Sequence, residues 1–248
     1  MSTFTYLITG ASRSLGHGYA QALLRSSPSV RVVAAARNPD SASQLHKLVE
    51  EFGKERVYLL QLDVSDKESV EKARSELEGS GWRGEGGVDA LVNNAGVAKG
   101  PTPPSALDFD EVQYNFDVNV RGVLNVNKAF LPLVKKSKGK QIFAVSSTCG
   151  SITEWGTNTM ATAYCMSKVA LNMYMKKLSV ELADDGFTVI MFHPGYVKTD
   201  MNRSEDGTVS GELTTDEAVE AALKYVFTRV QQSDNGKFLR YSGEEMPW

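Results

Sequence analysis

The chain has 248 residues, with 27 Lys and Arg against 30 Asp and Glu, for a formal net charge of −3. That length is ordinary for one α/β domain, and a composition 42% hydrophobic and 23% charged excludes a disordered or fibrous chain. No positive excess exists to hold nucleic acid or an anionic membrane surface, and no apolar run approaches the ~20 residues of a membrane span.

Met1 to Tyr6 lead straight into a strand without a basic stretch or cleavage site, so no signal peptide is read there. Strand one is centred on Tyr6, Leu7 and Ile8, and a glycine-containing turn leads into a helix through Leu23 and Leu24. Further strands are predicted at Arg31 to Ala36, Val57 to Leu62, Val88 to Val92, Gln141 to Val145, Thr188 to Phe192 and Phe238 to Tyr241. Helical stretches fall between them at about 40–52, 66–78, 109–136, 161–184 and 215–231. The central strands are continuously apolar rather than alternating, as expected for a parallel sheet buried on both faces. The fold class expected is α/β: a single-domain Rossmann-type, doubly wound parallel sheet of about seven strands, with helices on both faces over residues 1–248. Residues 79–87, 99–104 and 200–211 break the rhythm. The first reads as a flexible connection, and the last as a surface loop or a mobile lid.

Strand one ends in Thr9-Gly10-Ala11-Ser12-Arg13-Ser14-Leu15-Gly16, which then opens a helix. Glycines there allow a tight turn and let the backbone approach a pyrophosphate held at the helix N-terminus. Strand two ends without a carboxylate to accept from an adenine-ribose 2′-hydroxyl; it offers Ala36 and then Arg37, with Arg13 as a second cation. Two guanidinium groups suit a 2′-phosphate, so the expected cofactor is NADP(H) rather than NAD(H). Tyr164-Cys165-Met166-Ser167-Lys168 places Tyr164 and Lys168 on one face of a helix. A ketone needs a proton as hydride arrives, and a neighbouring ammonium is expected to lower the phenol's pKa toward the working range.

These motifs, in this order, resemble the short-chain dehydrogenase/reductase family across essentially the whole chain. The family's first turn has a glycine where this chain has Ser14, whereas Gly10 and Gly16 match; a serine hydroxyl there offers its own bond to a phosphate oxygen. Gly18, one turn into the helix, reads as a close-packing position against the sheet. The resemblance further implies an adenine contact at Asp63 and Val64, and cofactor contacts at Asn93, Ala95 and Gly96, although the buried asparagine pair also reads as a structural cap. It implies a nicotinamide site at Pro194, Gly195, Val197 and Thr199. The implied catalytic set is Asn119, Ser147, Tyr164 and Lys168, with Asn119 holding a water that passes protons through Lys168. For the serine, Ser147 fits the position at the strand end, while Ser151 fits the usual spacing to the tyrosine. Residues 154–158 are expected to line the substrate pocket.

The stretch Ser146 to Ile152 and the ending Tyr241 to Trp248 look most like sniffer-type carbonyl reductases. The resemblance implies NADPH-dependent reduction of a small-molecule ketone or aldehyde. A pathway-specific ketoreductase for one bulky metabolite and a cofactor-sensing protein are the alternatives. Two cysteines, Cys149 and Cys165, are too few for a disulfide framework or a zinc site, and the three histidines lack ligand spacing, so no metal and a cytoplasmic setting are expected. The helices at 109–136 and 161–184 are apolar on more than one side, which predicts a homodimer or homotetramer.

Overall fold

Apolar runs that cannot face water on either side pair with one another in parallel and take helices on both faces. In the computed structural model, which describes residues 3–82, 86–203 and 206–248, the strands are β1 (Phe4–Thr9), β2 (Val30–Ala36), β3 (Val57–Gln61), β4 (Ala90–Asn93), β5 (Gln141–Val145), β6 (Thr188–His193) and β7 (Phe238–Arg240). The helices are α1 (Ser14–Ser26), α2 (Ser43–Phe52), α3 (Lys67–Gly79), α4 (Phe109–Phe116), α5 (Val123–Lys135), α6 (Thr162–Glu181) and α7 (Thr215–Ala222). One seven-stranded sheet runs β3-β2-β1-β4-β5-β6-β7, and every pairing is parallel. The winding reverses between β1 and β4, which opens a crevice at their carboxyl ends.

Successive strand residues point to opposite faces. Leu7, Val33, Leu91, Ile142 and Met191 pack under α3, α5 and α6, whereas Ile8, Val32, Val92, Phe143 and Phe192 pack under α1, α2 and α7. On the second face Phe227 is the hub of an aromatic cluster, meeting Tyr6, Tyr19, Phe143 and Phe192 edge-on at centroid distances of 5.1–6.4 Å.

Three departures from the sequence reading have local causes. The helix expected at 109–136 is divided by a π-helical turn, Asp117–Gly122, centred on Asn119, whose side-chain amide is tied to the main chain of Val97. The helix expected at 215–231 ends at Ala222 and continues as a second π-helical turn, Leu223–Phe227, which delivers Phe227 to its cluster. In the segment 79–87, of which 83–85 lie outside the described residues, Trp82 is anchored rather than free. Its Nε1 donates to Lys54 O at 2.7 Å, and Arg31 lies over its ring. Among the described residues no helix is long and apolar enough to cross a membrane, and no group of three or more His, Cys, Asp or Glu is arranged to hold a metal ion.

Candidate active site

The glycine turn is built by contacts that leave no room for side chains. Gly10 takes φ +67° at the end of β1, and a Cβ on Gly16 would lie 2.3 Å from Gly10 O and 2.5 Å from Asn94 Nδ2. Asn94 fastens this turn to β4: its Nδ2 donates to Thr9 O (2.9 Å) and Gly10 O (3.3 Å), while its N–H and that of Ala95 donate to Thr9 Oγ1. The sequence reading assigned the cofactor role to Asn93, but the side chain of Asn93 turns the other way. Its Nδ2 donates to Asn127 Oδ1 and Phe143 O inside the core, so its amide is a structural tie and Asn94 serves the turn. The signal was present in the Asn-Asn pair, since adjacent strand residues face opposite sides.

Ser14 keeps the left-handed conformation (φ +51°) that favours glycine, so the turn retains its shape despite the substitution. Leu15 packs on the core and Ser12 sits in the turn itself. Gly18 does allow close packing, but against a helix and not the sheet: a Cβ there would lie 2.6 Å from Val219 Cγ2 on α7. The α1 N-terminus has no side-chain cap and no acidic residue in its first turn. Its first N–H groups and partial positive charge therefore suit an anion. Arg13 stands at that end in an exposed, solvent-screened ion pair with Asp200 (3.6 Å), a weak contact that a phosphate can replace. Arg37 is exposed beyond β2. Past β3, Asp63 Oδ1 accepts from the Ser65 N–H and hydroxyl, and Val64 is buried beside it.

The second half of the site gathers at the carboxyl ends of β4 and β5. Ser147 directly follows Ser146 at the end of β5; its hydroxyl accepts from the Cys149 N–H at 3.2 Å and is a neighbour that lowers the Tyr164 phenol's pKa. Ser151, the spacing-based rival, is buried, and its Oγ accepts from Glu154 N–H. Of the two serines, it is Ser147 that acts on the Tyr164 phenol. Lys168 lies one turn along α6, with Nζ donating to Val145 O at 2.9 Å and 5.6 Å from the Tyr164 ring centre. Burial pushes the Lys168 ammonium down from 10.5 to about 8. Burial also raises the Tyr164 phenol above its ordinary value. This reverses the expected depression by Lys168, because desolvation outweighs an ammonium directed at a carbonyl.

Asn119 is fully buried next to this pair. Its Oδ1 accepts from Val97 N–H, and its Nδ2 donates to Val97 O and Ser167 Oγ. A Cβ on Gly96 would meet Asn119 Oδ1 at 3.2 Å and Lys168 Nζ at 3.7 Å, so the β4 loop, Asn119 and Lys168 converge there. Beyond β6, Pro194 is buried and Gly195 takes φ +93° against Leu213 and Tyr241. Val197 O accepts from Asn202 Nδ2, and Thr199 O accepts from Asn202 N–H. The segment read as a loop or lid is a folded flap in its described part. Arg203 and Val209 bridge antiparallel, and Tyr196 Oη bonds Ser210 Oγ at 2.5 Å; residues 204 and 205 lie outside the described residues. His193 stays neutral, its pKa held by burial at about 4.

Trp155 and Asn158 join Met160, Met166, Val169 and Met173 around an apolar cavity of about 650 Å³, on the α6 face opposite Tyr164 and Lys168. Glu154 is instead ion-paired with Arg240.

A short chain dehydrogenase family model matches residues 5–210. The chain belongs to that family. An oxidoreductase of Schizosaccharomyces pombe is 34% identical, over 98% of this chain and 97% of its own. Among solved structures, the carbonyl reductase Sniffer of Drosophila melanogaster superposes with a TM-score of 0.88 at 28% identity, covering 100% of both chains. An NADPH-bound carbonyl reductase from chicken fatty liver gives 0.88 at 31% identity, covering 100% of this chain and 95% of that one. The structural neighbours of this family member include sniffer-type carbonyl reductases, and the chain is an oxidoreductase by family.

Proposed function

We propose that residues 1–248 act as one NADP-binding unit that reduces a ketone or aldehyde to an alcohol with NADPH. The observation that carries this reading is the grouping of Ser147, Tyr164 and Lys168 at the strand ends, beside an uncapped helix N-terminus flanked by arginines. The site fits the cofactor. The α1 N-terminus lacks its own anion, and the turn formed by Gly10, Ser12, Ser14, Leu15 and Gly16 would hold the pyrophosphate. Arg13 and Arg37 would take the 2′-phosphate; Asp63 and Val64 the adenine end; Ala95, Gly96 and the lysine the ribose; and Pro194, Gly195, Val197 and Thr199 the nicotinamide.

When bound, the nicotinamide supplies hydride to the carbonyl carbon. The Ser147 hydroxyl donates to the carbonyl oxygen and aligns it. Tyr164, kept protonated by burial, gives its proton to that oxygen as negative charge develops there. Lys168, with a pKa about 8, then returns a proton to the phenolate. Asn119 holds the Val97 loop against Ser167 and thereby positions the lysine side of the relay.

Two further expectations belong to this reading. The protein works in the cytoplasm, and it forms a homodimer or homotetramer through α5 and α6, whose Leu124, Met166, Met173 and Val180 are exposed apolar side chains. Consumption of NADPH and of NADH with a panel of activated ketones and aldehydes tests the activity. Turnover with NADPH well above that with NADH supports the reading, and preference for NADH refutes the cofactor assignment.

A further inference from the structure

The buried stripe of α6 carries a polar residue that the proposed chemistry does not use. Tyr164, Lys168 and Asn172 stand at successive four-residue steps, on one face of the helix. Asn172 is 2% exposed, at an interior helix position where leucine favours the helix more. A buried amide is costly unless it is hydrogen-bonded, and this one is bonded at both ends. Its Oδ1 accepts from Ser146 Oγ at 2.7 Å, and its Nδ2 donates to Gly150 O at 3.0 Å.

Those two partners bracket Ser147. Gly150 closes the short turn Thr148–Gly150, and its N–H donates to Ser147 O at 2.8 Å, while Cys149 N–H donates to Ser147 Oγ at 3.2 Å. The turn thus hangs on the serine at one end and on Asn172 at the other. It lies so close to α6 that a Cβ on Gly150 would stand 2.5 Å from Asn172 Nδ2, 3.0 Å from Ser146 Oγ and 3.2 Å from Lys168 O. Lys168 supplies a third tie, through Nζ to Val145 O at 2.9 Å, two residues before Ser147.

We propose that Asn172 is a positioning residue: by holding Ser146 and Gly150 to α6, it fixes the Ser147 hydroxyl relative to the Tyr164 phenol on the same helix. This consequence rests on the reductase reading. Serine and tyrosine must reach one carbonyl oxygen, yet they come from different elements, a strand-end turn and a helix. An amide bonded on both sides of the serine makes the two elements one rigid unit. Displacements approaching 1 Å between groups that act on one substrate atom cost about a hundredfold in rate. Without the amide, Gly150 O and the Ser146 hydroxyl are left unpaired in the interior, which drives the turn outward toward water.

The test compares wild type, Asn172→Leu and Ser146→Ala, each with and without Ser147→Ala, by single-turnover reduction of an activated ketone, NADPH affinity and amide hydrogen exchange. Asn172→Leu keeps the size of the side chain and removes both ties. Ser146→Ala removes one, and carries the test where the leucine variant does not fold. The expected result is a fall of about 10–100-fold in reduction rate for Asn172→Leu, a smaller fall for Ser146→Ala, and unchanged NADPH affinity in both. In the Ser147→Ala background neither change lowers the rate further, because a residue that acts only through Ser147 has nothing left to position. The amides of Cys149, Gly150 and Ser151 exchange faster in both variants than in the wild type. An unchanged rate, a loss that multiplies with that of Ser147→Ala, or a loss of NADPH affinity equal to the loss of rate would each overturn the proposal. Absence of carbonyl reduction by the wild type refutes the reductase reading instead; the exchange rates still decide whether Asn172 holds the turn, and equal exchange in wild type and variants contradicts it.

Discussion

Burial moves the two titrating groups of the proposed relay in opposite directions: it keeps Tyr164 protonated and leaves Lys168 near 8. Below pH 8 the lysine is an ammonium that can refill the tyrosine; above it the neutral amine cannot. The rate of carbonyl reduction is therefore expected to fall as pH rises through about 8, and alcohol oxidation to rise across the same window. A reduction rate flat from pH 7 to 9.5 would contradict the relay. The same shift sets a stability slope. The unfolded lysine binds its proton up to about 10.4 and the folded one only to about 8, so the unfolded state binds more protons between these values and folding gains stability as pH rises through them. At the cofactor end, removing the Arg37 guanidinium deletes charge-assisted bonds worth about 1.5–3 kcal/mol. Arg37→Ala should accordingly raise the KM for NADPH by about 10–100-fold and leave that for NADH nearly unchanged. An equal loss with both cofactors would place Arg37 outside the 2′-phosphate site.

At the scale of elements, the glycine turn and the helix behind it carry separate demands. Gly18→Ala drives a methyl into Val219 Cγ2, whose β-branched side chain has little freedom on α7, and is expected to cost about 1–3 kcal/mol in denaturant unfolding. Ser14 separates conformation from binding. Ser14→Gly relieves a left-handed serine and should stabilise the fold by about 1 kcal/mol, yet should weaken NADPH if the hydroxyl holds a phosphate oxygen. Higher stability with unchanged NADPH affinity would make Ser14 a tolerated substitution and nothing more.

The strands and α6 were legible in the sequence because a buried parallel sheet needs unbroken apolar runs and because Tyr164 and Lys168 are fixed one turn apart. The breaks at Asp117–Gly122 and Leu223–Phe227 were not. Each depends on a tertiary demand, Asn119 on Val97 and Phe227 on its ring cluster, that leaves no periodic mark.

For the whole molecule, the outer face of α6 is one of the places where the fold leaves apolar side chains uncovered. Met173 is 62% exposed and Val180 68%, which is costly unless a second copy covers them. Light scattering at micromolar concentration should report a dimer or tetramer, and Met173→Glu should shift it to monomer without abolishing NADPH binding. A wild-type monomer would refute assembly through this face.

The central claim, that Tyr164 supplies the proton in an NADPH-driven carbonyl reduction, is tested most directly by following NADPH absorbance with an activated ketone for wild type and Tyr164→Phe, alongside NADPH binding to both. The account predicts turnover in the wild type, a loss of about 10²–10⁴-fold in kcat in the variant, and unaltered NADPH binding. Turnover that survives in Tyr164→Phe would contradict it.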